Sequence, residues 1–389
     1  MSKCLPVVVV AFNRARSLKR LLGSLNDAIY TVDDVPLIIS IDKGDSNQDV
    51  LAVAESFVWE HGEKKVVYQE TNLKLRRHVL QCGDYALKYG NVIVLEDDLY
   101  VSKYFYQYAE SALMFTQDNN RIGGISLYNH RFNVESAEPF ESIDDGYDNW
   151  YFQFASSWGE AWSKSQWERF KEWYEKSPNI DDCSQIPLYV RQWSQSSWLK
   201  YFIAYLIEKD LYFLYPHKSL TTNFGDAGTH VNKNNTNHQV PIQNGKIAYK
   251  FSELEMSKAV YDAYYESVYL QSKIIDGQKV LVDLYGKKTI EPDKLHYVVS
   301  RQALPYKIVK KYGCNMRPHE ENILREIEGD DFFLYDMNSR VDTKPRTDAI
   351  RKAQYNLRYI DKKQYSAVIL LFIQKTLDGM QRRLRKVLK

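Results

Sequence analysis

Cysteine is scarce in this sequence, and its spacing excludes two kinds of site. The four cysteines, Cys4, Cys82, Cys183 and Cys314, lie far apart and form no CxxC pair and no Cys/His ligand pattern. Zinc sites and disulfide frameworks need such clusters. We therefore expect neither, and a reducing cytoplasm is the default compartment.

Long apolar runs are also absent. The run at 7–12 is too short for a signal peptide and passes directly into Asn13 and Arg14. No stretch approaches the roughly 20 apolar residues of a membrane span. With 389 residues, of which 44% are hydrophobic and 26% charged, the chain can form one large core or two moderate ones.

Glycine is missing where a dinucleotide-binding turn would need it. The turn after the first apolar run reads Phe12-Asn13-Arg14-Ala15-Arg16, whereas a dehydrogenase needs GxGxxG so that a pyrophosphate can approach the helix N-terminus. A sugar nucleotidyltransferase would also carry a glycine-rich first loop. Both classes are therefore disfavoured.

The net charge of +2 is unevenly distributed. Residues 366–389 carry six Lys/Arg against Asp378, a local +5, and the rest carries 46 basic and 49 acidic residues, or −3. Apolar residues of this tail recur at steps of four and three, which indicates one helical stripe: Ile373, Leu377, Met380, Leu384 and Val387. Two interpretations stay open, a helix docked on its own domain and a helix on the cytoplasmic face of a membrane. We expect no nucleic-acid partner.

The first 130 residues alternate strand and helix patterns. The pattern predicts strands at 6–12, 37–41, 66–68, 92–95 and 122–127, with helices between them. Strands that are apolar throughout and separated by helices are typical of a parallel sheet covered on both faces. Asn13-Arg14, Asp42 and Glu96-Asp97-Asp98 follow three of these strands. We expect them to meet in one crevice at the carboxyl ends of the strands.

The rest of the chain is less regular. Seven of the eight tryptophans fall between Trp150 and Trp198, a region with helical spacing such as Trp158 and Trp162. From about residue 250 the sequence is charged and rich in tyrosine, and we predict a mainly helical region there.

Three consecutive acids at the end of a buried strand need a positive partner, because like charges repel in a low-dielectric crevice. Mg²⁺ or Mn²⁺ suits Glu96-Asp97-Asp98, since these ions take carboxylates together with substrate phosphates. The alternative is an acidic cap on the next helix, but that helix is predicted to begin only near Ser102.

The strand motifs together resemble one enzyme family. Pro6-Val-Val-Val-Val-Ala-Phe-Asn-Arg14, Leu37-Ile-Ile-Ser-Ile-Asp42, Leu75-Arg-Arg-His78 and Val92-Ile-Val-Leu-Glu-Asp-Asp-Leu99 are similar to the donor half of the N-acetylglucosaminyltransferase I-like glycosyltransferases and their bacterial relatives, over about residues 5–235. The resemblance implies an α/β fold of the GT-A (Rossmann-like) type, with a mostly parallel sheet, helices on both faces and a mainly helical C-terminal region. The predicted domains are 1–130 for the donor, 131–245 for acceptor and catalysis, and 246–389 for that last region.

The resemblance also implies roles for the crevice residues. Phe12, Asn13, Arg14, Asp42 and His78 would bind the nucleotide, with Asp42 near uracil. In the acidic cluster, Asp97 would address the ribose or sugar, Asp98 would hold the metal and Glu96 would orient the cluster. Without the resemblance, His78 would be interpreted as a surface histidine of a helix.

A second motif suggests the catalytic base. Trp162-Ser-Lys-Ser-Gln-Trp-Glu168 resembles a family segment whose final acid deprotonates the acceptor hydroxyl. Glu168 would take that role, with Glu160 as a competitor and Asp181-Asp182 as a third choice. A solvated glutamate on an amphipathic helix is an equally good interpretation of each.

A third motif, Thr222-Asn-Phe-Gly-Asp-Ala-Gly-Thr-His230, resembles the loop that closes over the donor. Its glycines allow close approach to a diphosphate, and His230 would complete the metal shell or bind phosphate.

These observations predict a metal-dependent, inverting glycosyltransferase. A UDP-sugar is favoured as donor, a saccharide or lipid-linked saccharide as acceptor, and Mn²⁺ or Mg²⁺ as cofactor. We expect a cytoplasmic protein that can bind the inner face of the membrane. A glycoside hydrolase with paired carboxylates is less consistent with three adjacent acids, and an inactive GT-A-fold polysaccharide-binding or scaffold protein is the alternative.

Overall fold

The computed structural model describes residues 5–176, 179–181, 183–226 and 236–387. The strands are β1 (Val7–Ala11), β2 (Leu37–Ile41), β3 (Lys64–Tyr68), β4 (Asn91–Glu96), β5 (Leu99–Val101), β6 (Ile122–Ser126), β7 (Phe132–Asn133), β8 (Glu138–Pro139), β9 (Asn149–Phe152), β10 (Glu160–Ser163), β11 (Tyr212–Pro216), β12 (Thr221–Asn223), β13 (Val260–Tyr261), β14 (Leu281–Asp283), β15 (Tyr297–Ser300), β16 (Tyr306–Tyr312) and β17 (Phe332–Arg340).

The helices are α1 (Ala15–Asn26), α2 (Gln48–Ser56), α3 (Lys74–Gly83), α4 (Tyr85–Tyr89), α5 (Phe105–Phe115), α6 (Lys164–Glu175), α7 (Leu188–Arg191), α8 (Trp198–Glu208), α9 (His319–Leu324), α10 (Ala349–Asn356) and α11 (Tyr365–Val387).

A nine-stranded sheet with the order β13-β9-β11-β6-β10-β4-β1-β2-β3 forms the core. Strands β4, β1, β2 and β3 pair in parallel. Strand β10 is inserted antiparallel between β4 and β6. Beyond it, β11 is parallel to β6 and antiparallel to β9, which pairs in parallel with β13. The predicted α/β fold with a mostly parallel sheet is confirmed.

Apolar layers cover both faces of this sheet, which explains why its first strands are apolar throughout. Along β1, Val7 and Val9 belong to one buried cluster with residues of α1, α2 and α5. Val8 and Val10 belong to the other, with residues of α3, α6 and α8. The alternation follows from the period of two of a strand.

The predicted elements of the first 130 residues lie within a few residues of those observed. Helix α1 begins at Ala15, directly after Arg14. In its first turn, the Ser17 hydroxyl donates to Asp226 Oδ2 at 2.7 Å. This helix therefore anchors a distant loop.

The helical interpretation of the tryptophan-rich region is wrong in part. Trp150 lies in β9 and Trp162 in β10, and both are fully buried in the sheet. The spacing of the tryptophans wrongly suggested a helix. Two strands of four residues, with a turn between them, are too short to show a long periodic pattern of their own. Helices α6, α7 and α8 occupy the remainder.

The mainly helical C-terminal region is confirmed only at its end, in α10 and α11. Before them, β14, β15, β17 and β16 form a four-stranded sheet, which corrects the prediction for that part. In β16, exposed and half-buried positions alternate, but Val309 is exposed and Lys310 half-buried. Polar and apolar residues therefore do not alternate in the sequence, and the strand signal was weak. Strand β13 also belongs to this part of the chain, after residue 245, and it pairs with β9 of the large sheet. The domain boundaries themselves stay predictions.

Helix α11 has large apolar side chains exposed to solvent, from Val368 to Met380. Within the described part of the chain, no helix combines the length and apolar character needed to cross a membrane.

Candidate functional site

A cavity of about 610 Å³ opens at the carboxyl ends of β1, β2 and β4. The structure brings to its wall all the residues that the strand ends suggested, together with others from distant segments. The lining side chains used below are Phe12, Asn13, Arg14, Asp42, Asn72, Lys74, His78, Glu96, Asp97, Asp98, Trp158, Ser196, Ser197, Trp198, Asn223, Gly225, Asp226 and His238. Parallel strands end at one edge of a sheet, which is why these segments converge.

Arg14 holds the acidic cluster together. Its Nη1 donates to Asp98 Oδ2 at 2.7 Å, and its Nη2 donates to Asp97 Oδ1. Asp97 and Asp98 are only 2% and 7% exposed. Two enclosed carboxylates therefore share one guanidinium, which supplies at least part of the positive charge that the sequence led us to expect from a metal.

Enclosure shifts the proton affinity of the acids. Burial raises the pKa of Glu96 to about 8, and the nearby Asp98 adds to this while Arg14 opposes it. Burial also raises the pKa of Asp97 to about 6 against the effect of Arg14. The cluster therefore carries less negative charge at neutral pH than three ordinary carboxylates would, and an incoming cation would favour its deprotonated form.

A second part of the cavity wall holds Asp42 and His78. Asp42 Oδ1 accepts the backbone N–H of Lys43 at 2.9 Å and of Leu73 at 2.8 Å, which fixes its carboxylate. His78 Nε2 and Ser40 Oγ are 2.8 Å apart, and burial lowers the pKa of His78 to about 4. At neutral pH this wall presents a neutral imidazole beside a carboxylate, a polar surface suited to a base or a sugar.

The loop after β12 is pinned to α1. Asp226 accepts hydrogen bonds from Ser17 and Arg20, and the Arg20 guanidinium lies 3.7 Å from the centre of the Phe224 ring. Gly225 has φ 63°, a left-handed conformation that glycine adopts without strain. His230 and the rest of this motif lie outside the described residues, so its predicted role stays a prediction.

The described residues fit a metal only in a limited way. Asp98 Oδ1 is buried without a hydrogen-bond partner, so one carboxylate oxygen remains for a cation. No group of three or more His, Cys, Asp or Glu side chains with metal-binding placement occurs among the described residues. Such a site suits an ion that takes most of its ligands from diphosphate and water.

Neither predicted base lines the cavity. Glu168 lies on α6, which begins at the far end of β4, because Ser163 of the antiparallel β10 pairs with Asn91. Its side chain is 52% exposed and lies 3.6 Å from Lys164. The geometry therefore gives no support to Glu168 as the base, although the role itself is untested.

Glu160 lies closer to the acidic cluster but is enclosed. It is 1% exposed at the start of β10, and burial, with Glu96 nearby, raises its pKa well above the ordinary value. Its Oε2 has no hydrogen-bond partner. Of the third choice, Asp181 pairs with Lys200 at 2.8 Å, and Asp182 lies outside the described residues.

Two parts of the wall were missed by sequence reasoning. The N-terminus of α8 reaches the cavity, where Ser197 caps the helix and Trp198 lies near enough to Glu96 to lower the pKa of that carboxyl. Trp158 and His238 stack with their ring centres 4.3 Å apart. A serine cap before an apolar helix was a visible signal for α8, but nothing local indicated that this helix would face the cavity.

Comparison with known proteins supports the motif analysis. The chain is 23% identical over 291 residues to the alpha-1,3-mannosyl-glycoprotein 2-beta-N-acetylglucosaminyltransferase of Arabidopsis thaliana. The predicted resemblance is confirmed. The match covers 71% of this chain and 60% of the plant enzyme, so the chain spans about three fifths of that relative's length. No protein-family profile matches the chain.

Similarity to solved structures is weak. S. aureus TarS 1-349 in complex with UDP-GlcNAc gives a TM-score of 0.38 at 13% identity, covering 58% of this chain and 60% of that one. The mannosyltransferase PcManGT of Pyrobaculum calidifontis in complex with GDP-Man and Mn²⁺ gives 0.31 at 14% identity, covering 43% and 46%. TM-scores of this size do not establish a common fold.

The bridging role of Arg14 predicts a stability effect. Arg14→Met should lower the free energy of unfolding by about 2–3 kcal/mol, because removing one partner leaves enclosed carboxylates uncompensated. Arg16→Met, at an exposed position of the same helix, is the matched control and should change it little. Urea unfolding of both variants measures the difference, and equal stabilities would contradict the bridging role.

Proposed function

We propose that this chain is a metal-dependent, inverting glycosyltransferase that uses a nucleotide-sugar donor. The observation that carries the proposal is the cavity in which Arg14, Asp97 and Asp98 meet Asp42 and His78. The sequence similarity to an N-acetylglucosaminyltransferase selects sugar transfer among the reactions that such a cavity could serve. It also favours a UDP-sugar as donor and a saccharide or lipid-linked saccharide as acceptor.

In this proposal, the wall with Asp42 and His78 and the wall with the acidic cluster bind different parts of the donor. Asp42 and His78 receive the uridine, because a fixed carboxylate and a neutral imidazole can exchange hydrogen bonds with a base. Arg14 lies between this wall and the acidic cluster, where its guanidinium can turn to the diphosphate. Asp97 addresses the ribose or the transferred sugar, and Glu96 orients the cluster.

Asp98, together with the diphosphate, would hold Mn²⁺ or Mg²⁺, and the ion would supply charge stabilisation for the departing nucleotide. The free Asp98 Oδ1 supports this assignment. When the nucleotide binds, Arg14 would leave Asp98 Oδ2, and the carboxylate would then have both oxygens available. Until the nucleotide binds, Arg14 keeps the acids paired.

Sugar transfer also needs a group that takes the proton of the acceptor hydroxyl. Glu160 and Glu168 are the candidates from the sequence, and Glu160 lies nearer the acidic cluster. Direct attack assisted by one base converts an α-linked donor into a β-linked product. NMR of the product tests this proposal, and retained configuration would exclude direct inversion.

Among the described residues of the cavity wall, neither Glu160 nor Glu168 is present. This observation favours one alternative, a protein that binds a nucleotide-sugar or polysaccharide without transferring sugar. Metal-dependent release of UDP from a donor separates the two. Release in the presence of acceptor supports transfer, whereas tight binding without any release supports the inactive scaffold.

The substitution Asp98→Asn tests the proposed metal site. UDP binding measured by calorimetry should strengthen with Mn²⁺ for the unaltered protein, and the variant should lose that Mn²⁺ dependence because the amide is a weaker ligand. Asp45→Asn, at an exposed position after β2 that does not line the cavity, is the control. An Mn²⁺ effect of equal size in both variants would refute the role of Asp98.

We further propose that α11 binds the cytoplasmic face of an anionic membrane. Its side chains from Val368 to Ile373 are consecutive, apolar and exposed, as are Leu377 and Met380. A helix docked on its own domain would bury them, so the exposure favours the membrane over that interpretation. The basic residues of 382–389 follow this apolar segment in the sequence, the combination found in helices that lie on anionic lipid.

Removing 366–389 should release the protein from vesicles of phosphatidylcholine and phosphatidylglycerol, as measured by co-sedimentation. Each basic residue near an anionic surface contributes about 1 kcal/mol, an attraction that salt weakens. Replacing the four basic residues of 382–386 by glutamine should therefore reduce binding while the apolar segment is retained. If the truncated protein unfolds, the apolar segment packs against protein. The same conclusion follows if truncation changes the oligomeric state and leaves vesicle binding unchanged.

A further inference from the structure

A second cavity, of about 490 Å³, opens beside the first. Arg131, Lys218 and Lys246 line it from three separate segments, together with His217 and the stretch from Val240 to Gln243. All three cationic side chains are exposed. The lining of this cavity is therefore positively charged, and it contains none of the predicted site residues.

These cations have no acidic partner in the described part of the chain, since none of them forms an ion pair there. Asp144, Asp145 and Asp148 act electrostatically on His217, opposing the effect of burial on its pKa. Each of these acids accepts a backbone N–H elsewhere, from Gly146, Lys258 and Lys250 respectively, and none of them lines the cavity. The charge of the cavity wall is therefore positive.

His217 adds a polar group without adding charge. Burial lowers its pKa, so the imidazole is neutral at neutral pH. Its Nδ1 lies 3.2 Å from Ser142 Oγ, and its Nε2 is buried without a hydrogen-bond partner. His217 thus lines the cavity beside the three cations and adds no charge that would oppose theirs.

Two chain segments connect the two cavities. Asn223 and His238 line the first cavity, whereas Ser219 and the stretch from Val240 to Gln243 line the second. The segments run side by side, because Gln243 donates its N–H to Ser219 O at 2.8 Å. From Ser219 to Asn223 the chain spans at most about 14 Å. One extended molecule could thus occupy both cavities.

We propose that the second cavity binds an anionic group, a phosphate or a carboxylate, of the acceptor saccharide. This inference rests on the proposed glycosyltransferase function and specifies the chemical class of its acceptor. The anion lies among Arg131, Lys218 and Lys246, and the rest of the saccharide extends along 219–223 and 238–243 toward the donor. Its attacking hydroxyl then meets the sugar beside the stacked pair of Trp158 and His238, which offers a flat apolar surface to a sugar ring.

The residue types suit this class of ligand. Arginine can hold a phosphate or carboxylate through two parallel hydrogen bonds, and lysine adds a mobile charge. Because the cations are exposed, their attraction for an anion is screened by salt. We therefore expect them to select between charged and neutral acceptors more than to bind any acceptor tightly.

The test compares two triple variants of the full chain. In one, Arg131, Lys218 and Lys246 are replaced by alanine. In the control, Lys65, Lys103 and Lys307, which are exposed and line neither cavity, are replaced by alanine, so the net charge changes equally. Calorimetry measures binding of trigalacturonate and glycerol phosphate as anionic probes and of maltotriose as a neutral one. UDP binding is measured separately to report on the donor cavity.

We expect the first triple variant to bind an anionic probe at least about tenfold more weakly than the control, a difference of about 1.4 kcal/mol. UDP binding should stay the same in both. Preference for trigalacturonate would identify a carboxylate and preference for glycerol phosphate a phosphate, and either supports the proposal. The proposal would be overturned by equal losses of anion binding in the two triple variants or by the failure of both anionic probes to bind. It would also be overturned if maltotriose bound as tightly as the anions.

The two proposals fail separately in this design. A protein that binds an anionic probe through the three cations but does not bind UDP contradicts the donor site and leaves the anion site standing. A protein that binds UDP but treats anionic and neutral probes alike contradicts only the anion site.

Discussion

The candidate site depends on one guanidinium that joins two enclosed carboxylates at the ends of two neighbouring parallel strands. β1 and β4 pair in parallel with Val10 opposite Glu96, so the residues that follow each strand emerge at the same edge. Arg14 and Asp97-Asp98 can therefore meet, although more than 80 residues of sequence separate them. Without this ion pair, the two aspartates, which are almost completely buried, would face one another uncompensated.

The ion pair also explains how acidic side chains can be enclosed at this site. Burial alone would protonate such acids, and it does raise the pKa of Glu96 to about 8 and of Asp97 to about 6. Arg14 opposes both shifts. The site therefore suits a ligand that has an anionic diphosphate and brings its own cation. Such a ligand can exchange partners with the ion pair already present.

The antiparallel strand β10 decides which residues reach the site and which do not. By running back along β4, it carries the chain from the carboxyl edge to the opposite edge, where α6 begins. Glu168 is carried away with it. Helix α8 returns the chain to the cavity with Ser197 and Trp198 at its N-terminus. A motif of seven residues is too short to show this reversal, because strand direction depends on pairing with distant partners.

The local sequence determined much of the fold, namely the parallel strands of the first 130 residues, their helices and the positions of Arg14, Asp42 and the three acids at strand ends. Hydrophobic periodicity and composition are local properties, and they were sufficient for those elements. Only the tertiary structure decided that Arg14 pairs with the acids, that Glu160 is enclosed and Glu168 exposed, and that Trp158 stacks on His238. It also decided that three cations from distant segments surround a second cavity. Enclosure and charge neutralisation arise between residues that are distant in the chain, and they are therefore properties of the packed sheet rather than of any single segment.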